Sequence, residues 1–148
     1  MKHQHFDVET VGFYGAYWAC AGGSDCAVIA MIGDDPEDWL ARSAVKWLCG
    51  RGVNVLTMSP AKKDYGHHNY PLERVETAIS WLKANGNHKI GIAGASTTGT
   101  LALTAAAMFP DVTLTIAMTP SDFVWQGFMQ GKRDGCKERP VDGESLFS

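Results

Sequence analysis

The chain has 148 residues, 45% of them apolar and 20% charged, a balance that excludes an intrinsically disordered polymer. That length makes one average domain or a large part of a bigger one, enough to bury a sizeable core without staples. Its 13 Lys and Arg against 16 Asp and Glu leave a formal charge of −3, which argues against a nucleic-acid partner, since phosphate binding needs a basic face.

The N-terminus, Met-Lys-His-Gln-His-Phe, has no apolar core of a secretory signal. No apolar run approaches the roughly 20 residues that span a bilayer. A cytoplasmic protein with no membrane partner is expected. Residues 6–12 and 15–20 read as two short strands around a turn. Residues 27–32, Ala-Val-Ile-Ala-Met-Ile, form a continuous apolar run, the mark of a strand buried on both faces. The polar loop 34–38 can cap a helix over 39–49, where Leu40, Ala44, Trp47 and Leu48 recur at helical spacing before Gly50 and Gly52. A strand over 53–58 follows, then a long polar loop over 59–69. Pro71 opens a helix whose apolar stripe is Val75, Ala78, Ile79 and Leu82. Residues 89–93 are a further strand, 97–109 a helix of small residues stopped by Pro110, and 112–118 a last strand. Past Phe128 the periodicity is weak, as in a loop or mobile tail.

This order is α/β. Alternating strands and helices imply a mostly parallel sheet with helices on both faces, the two opening strands lying antiparallel at an edge. Cys20, Cys26, Cys49 and Cys136 have no metal-ligand spacing and read as free thiols in a reducing compartment. The pairs His3/His5 and His67/His68 read as surface histidines, with no Cys or carboxylate beside them at helical ligand spacing. No metal and no cofactor is implied. Gly94 and Gly99 match the glycines of a phosphate-binding loop, but Thr100 stands where that loop needs lysine. The dinucleotide fingerprint is absent after the first parallel strand.

One motif carries chemistry. Strand 89–93 runs into Gly94-Ala-Ser96-Thr-Thr-Gly99, and a helix follows at once. That is the setting of a nucleophile elbow, a sharp strand-to-helix turn that lifts a serine hydroxyl above the sheet edge. Such a turn tolerates only small residues two positions to either side of the serine. Gly94 fits on one side; on the other Thr98 stands where glycine is usual.

On these residues the chain resembles the α/β-hydrolase superfamily, in its dienelactone hydrolase-like branch. It is most similar to the C-terminal domain of acyl-CoA thioesterases and bile acid-CoA:amino acid N-acyltransferases. The resemblance runs from about Phe13 to Phe128 and rests on segments 27–33, 39–58 with its Gly-Arg-Gly-Val turn, 70–82 and 90–120. It implies a three-layer α/β-hydrolase sandwich acting on an ester or thioester through a serine acyl-enzyme. Ser96 would be the nucleophile. The Thr97 amide would be one oxyanion donor, and the Gly33–Asp34 turn the other. Asp34 and Asp35 bring negative charge to that turn, and Pro36 lacks an N–H.

A serine nucleophile needs a base and a carboxylate to orient it. The superfamily's order is serine, acid, histidine, and no histidine follows Ser96. Three explanations stand. Residues 1–128 are the N-terminal portion of a hydrolase domain, and 129–148 lead to a missing C-terminal part of the same protein. Or the chain is a catalytically inactive binding module. Or the site is rearranged, with His67 or His68 as base and Asp122 as orienter, since loops at the carboxyl ends of parallel strands share one edge. Asp122 also reads as a helix cap or turn residue, Trp125 and Phe128 as core or acyl-pocket residues, and Tyr65 and Tyr70 as exposed loop aromatics or substrate contacts.

Overall fold

The structure is a computed structural model, and it describes residues 2–60, 67–121, 127–129 and 132–133. Six strands form the main sheet: β1 (Lys2–Phe6), β2 (Gly15–Ala19), β3 (Cys26–Met31), β4 (Asn54–Met58), β6 (Lys89–Ala95) and β7 (Val112–Met118). Their order is β1-β2-β4-β3-β6-β7. β1 and β2 pair antiparallel, β2 is antiparallel to β4, and the pairs β3–β4, β3–β6 and β6–β7 are parallel. The α/β expectation holds, with the antiparallel strands at one edge.

The helices are α1 (Val8–Val11), α2 (Trp39–Cys49), α3 (Glu73–Ala84) and α4 (Thr97–Met108). Alternate residues of each buried strand feed two cores. Ala27, Ile29 and Met31 of β3 join Ile90 and Ile92 of β6 against Val75, Ala78, Ile79 and Leu82 of α3 and Ala102 and Ala105 of α4. Val28 and Ala30 join Ala16, Trp18, Val55 and Ala93 against Val45 of α2. Period two in the strands and the apolar stripes of the helices thus build three layers, α2 on one face and α3 with α4 on the other. Among the described residues no helix is long and apolar enough to cross a membrane.

Two expectations change. The first strand is not residues 6–12: β1 spans Lys2–Phe6, and residues 8–11 wind into α1, closed by Gly12. β1 is polar apart from its last residue, so it shows no apolar signal; edge pairing with β2 makes it a strand. The second concerns the polar loop and the tail. His67–His68 form β5, which pairs with β8 (Gly127–Met129), and β8 pairs with β9 (Lys132–Arg133) in a small second sheet. Strands of two or three residues carry no periodicity, and β5 lies far from its partner β8 in the chain. Residues 134–148 lie outside the described residues.

The topology fixes where a site can form. From β3 the chain steps outward to β4, then crosses back over β3 to β6. β3 and β6 are therefore neighbours from which the connections leave in opposite directions, and α2 and α4 start on opposite faces. A crevice opens at the carboxyl ends of two such strands. Residues 32–34 and Ser96 lie there.

Candidate active site

Ser96 is the single residue between β6 and α4. Its backbone has φ 54° and ψ −117°, a conformation costing about 1–3 kcal/mol for a residue with a side chain. The surroundings enforce it. Ser96 N donates to the Met118 carbonyl at the end of β7 (2.8 Å), and its own carbonyl accepts from Thr100 N (3.1 Å). A Cβ on Gly94 would run into the Thr98 carbonyl, so only glycine lets β6 and α4 meet this closely. Ser96 is exposed, its hydroxyl makes no capping bond to α4, and no partner for it is found among the described residues.

Thr98 occupies the position where glycine is usual. It is buried, and its hydroxyl accepts from Ala95 N (3.0 Å) and lies 2.6 Å from the Met31 carbonyl, to which it donates. The extra bulk is accommodated because it ties the elbow to the end of β3. Thr98→Val keeps the shape and strands two buried polar groups. It is expected to lower stability by about 1–3 kcal/mol in denaturant unfolding; an unchanged midpoint would remove this tie from the account.

The opposite wall is the 33–38 loop. With Met31, Ile32, Leu40, Ala95, Thr97 and Thr98, its residues Gly33 and Asp34 enclose an open cleft of about 250 Å³ around Ser96. Asp38 organises the loop. Its carboxylate accepts from Ala41 N (2.8 Å) as the N-cap of α2, and from Asp34 N (2.7 Å) and Asp35 N (3.2 Å). Gly33 has φ 98°, and a Cβ there would strike that carboxylate. Burial opposes ionisation of Asp38, but the amides of Ala41, Asp34, Asp35 and Leu40 outweigh it and hold the carboxyl below its ordinary value of 3.8. The stabilisation is full above that value and is lost as pH falls through the lower folded one. The gap in stability between wild type and Asp38→Asn should therefore be full near neutral pH and close under acid, in unfolding curves across pH. A gap independent of pH would contradict it.

No family model matches the chain, and no curated protein does. Solved structures do. An esterase from Pyrococcus furiosus superposes with TM-score 0.63 at 20% identity, over 80% of this chain and 50% of that one. An α/β hydrolase from Penicillium sp. sh18 gives TM-score 0.62 at 21% identity, over 80% and 45%. A zinc-bound, cold-adapted esterase from an Arctic intertidal metagenomic library gives 0.59 at 20%, over 77% and 56%.

The fold is the α/β-hydrolase fold.

The chain spans about half the length of these structures. Within this α/β-hydrolase fold the structure brings together Ser96, Thr97, Gly33 and Asp34, which line one cleft. The Thr97 amide belongs to the first turn of α4, where N–H groups have no intrahelical acceptor. The Asp34 amide, by contrast, is engaged by Asp38. The described lining of the cleft includes no imidazole. The backbones of His67 and His68 lie in β5, but their side chains, like that of Phe128, fall outside the described residues, as do Tyr65, Asp122 and Trp125 entirely. Tyr70 packs against the core on the α3 side. In the sequence Asp38 stands out only as part of a capping loop. The signal was its place directly before Trp39, the first residue of a helix.

Proposed function

We propose that this chain carries the nucleophile half of a serine hydrolase or acyltransferase. Ser96 Oγ attacks the carbonyl of an ester or thioester, the acyl C–O or C–S bond breaks, the alcohol or thiol leaves with the proton the base took from Ser96, and water or an amine then releases the acyl group from the acyl-enzyme. The observation that carries the reading is the strained Ser96 between strand and helix, φ 54°, with its hydroxyl exposed in a cleft. The esterase neighbours support it at the level of the fold. Thr97 N–H and Gly33 N–H serve as oxyanion donors; Asp34 N–H joins them only if Asp38 releases it. The sequence resemblance points to a small-molecule acyl substrate of the acyl-CoA thioesterase kind, with no cofactor.

The base and its carboxylate come, in this reading, from a C-terminal half of the same protein. The open side of the sheet supports that. Leu114, Ile116 and Met118 of β7 are exposed although apolar, and they lie on the α2 face, in register with Gly91, Ala93 and Ala95. Bare apolar edges of this kind are normally paired or covered. His67 or His68 with Asp122 is the alternative source of base and acid. Cys20, Cys26 and Cys49 are free thiols, as a cytoplasmic setting would keep them.

One observation favours a second reading, a binding module without catalysis: an amide of the oxyanion wall is already engaged. Turnover of short- and long-chain esters and acyl thioesters by the complete protein separates the two. Hydrolysis or aminolysis that disappears in Ser96→Ala supports the enzyme; no turnover of any acyl substrate leaves the binding module.

A further inference from the structure

The wall of the Ser96 cleft is fastened at its far end to the sheet edge. Residue 37 belongs to the loop that begins at Gly33, and its carboxylate reaches two histidines of β1. Glu37 Oε1 lies 2.7 Å from His3 Nε2, and Oε2 lies 2.9 Å from His5 Nδ1. His3 and His5 are two apart on one strand and so project from the same face. The second nitrogen of His5 faces Asp7 Oδ1 at 3.4 Å. From Glu37 the connection runs directly to the cleft. Glu37 N donates to Asp35 Oδ1 (3.0 Å), Tyr14 OH donates to Asp35 Oδ2 (3.2 Å), and the neighbouring Asp34 lines the cleft.

We propose that His3, His5 and Glu37 form a proton-dependent clasp that sets the position of the 33–37 loop and, through it, the shape of the Ser96 cleft. The reason is a count of protons. Both ring nitrogens of His5 face carboxylates, Glu37 and Asp7. A protonated ring donates to both; a neutral ring has one N–H and turns a lone pair toward the other carboxylate. Imidazole is the side chain that changes charge between about pH 5 and pH 8.

From β2, the Trp18 ring stacks on His3 at 4.0 Å, and Tyr14, just before that strand, meets His5 edge-on at 5.2 Å. Burial first, then Asp35, pushes the Tyr14 hydroxyl up to about 12, so it stays a neutral donor throughout. From α2, the Arg42 guanidinium lies over Trp18 at 5.8 Å and its Nε donates to the Glu37 carbonyl (2.7 Å). The permanent cation thus holds the backbone of Glu37, while the two imidazole rings hold its carboxylate. The clasp is complete when both rings are protonated and Glu37 is ionised; neutral rings lose the charge attraction to Glu37, and His5 then keeps an N–H for only one of Glu37 and Asp7.

The effect on Ser96 reactivity rests on the hydrolase reading; the effect on the loop does not. Amide NMR of the ¹⁵N-labelled protein separates them. Between about pH 5 and pH 8, the resonances of Gly33, Asp34 and Asp35 should shift with the same midpoints as the His3 and His5 rings. In Glu37→Gln that shift should vanish. Should this variant fail to fold, the His3→Gln, His5→Gln double variant gives the same readout. Loop amides that ignore the histidine titration, or that follow it unchanged without Glu37, overturn the clasp. The rate of fluorophosphonate labelling of Ser96 should change with the same midpoint. A complete protein never labelled at any pH sinks the hydrolase reading, and the loop amides still decide the clasp.

Discussion

Ser96→Gly is expected to raise stability while removing activity. Ser96 holds φ 54° and ψ −117° because the Met118 carbonyl, Gly94 and α4 leave it no alternative. Glycine adopts that conformation without the side-chain penalty of about 1–3 kcal/mol. It also gives the unfolded chain more freedom, worth about 0.5–1 kcal/mol in the opposite direction. The net gain is about 1 kcal/mol, read as a rise in Tm of about 2–4 °C for a chain of this size. Ser96→Ala keeps the strain and should melt close to wild type. Both substitutions remove the proposed nucleophile, and acyl turnover of the complete protein should drop by about 10⁴-fold or more. A destabilised Ser96→Gly would mean that the conformation carries no strain. A glycine variant that is stabilised yet fully active would mean that Ser96 is not the nucleophile.

Among the described glycines, Gly94→Ala should be the most damaging substitution. Its Cβ would meet the Thr98 carbonyl and lie 2.8 Å from Gly99 N, both backbone atoms of the first turn of α4. No side chain can rotate away. Either α4 moves off β6 or the elbow opens, and overpacking of rigid backbone costs about 3 kcal/mol or more. Denaturant unfolding measures the loss directly. Labelling of Ser96 should fall with it, because the hydroxyl loses its fixed place above the sheet. An alanine variant of normal stability would show that the strand and helix are not locked together here.

The elbow was legible in the sequence because its requirements are local. A strand, a glycine two residues before a serine, and an immediate helix of small residues stand in one stretch of chain. The parallel sheet was legible through its apolar runs and helical stripes. β1 was not, because its residues are polar and only its partner makes it a strand. Thr98 looked like a departure from the elbow pattern; its tie to Met31, far away in sequence, explains how it fits. Asp34 looked like an available donor, and only the loop's geometry shows Asp38 accepting its amide. His3 and His5 read as ordinary surface residues because Glu37, which joins them to the cleft wall, lies beyond α1 and two strands.

The central claim is that Ser96 is a nucleophile. Its most direct test is covalent labelling of the complete protein with a fluorophosphonate, followed by peptide mapping. One modified residue is expected, Ser96, protected by an acyl substrate and unlabelled after heat denaturation. A folded, complete protein that takes up no label, or is labelled elsewhere, would contradict it.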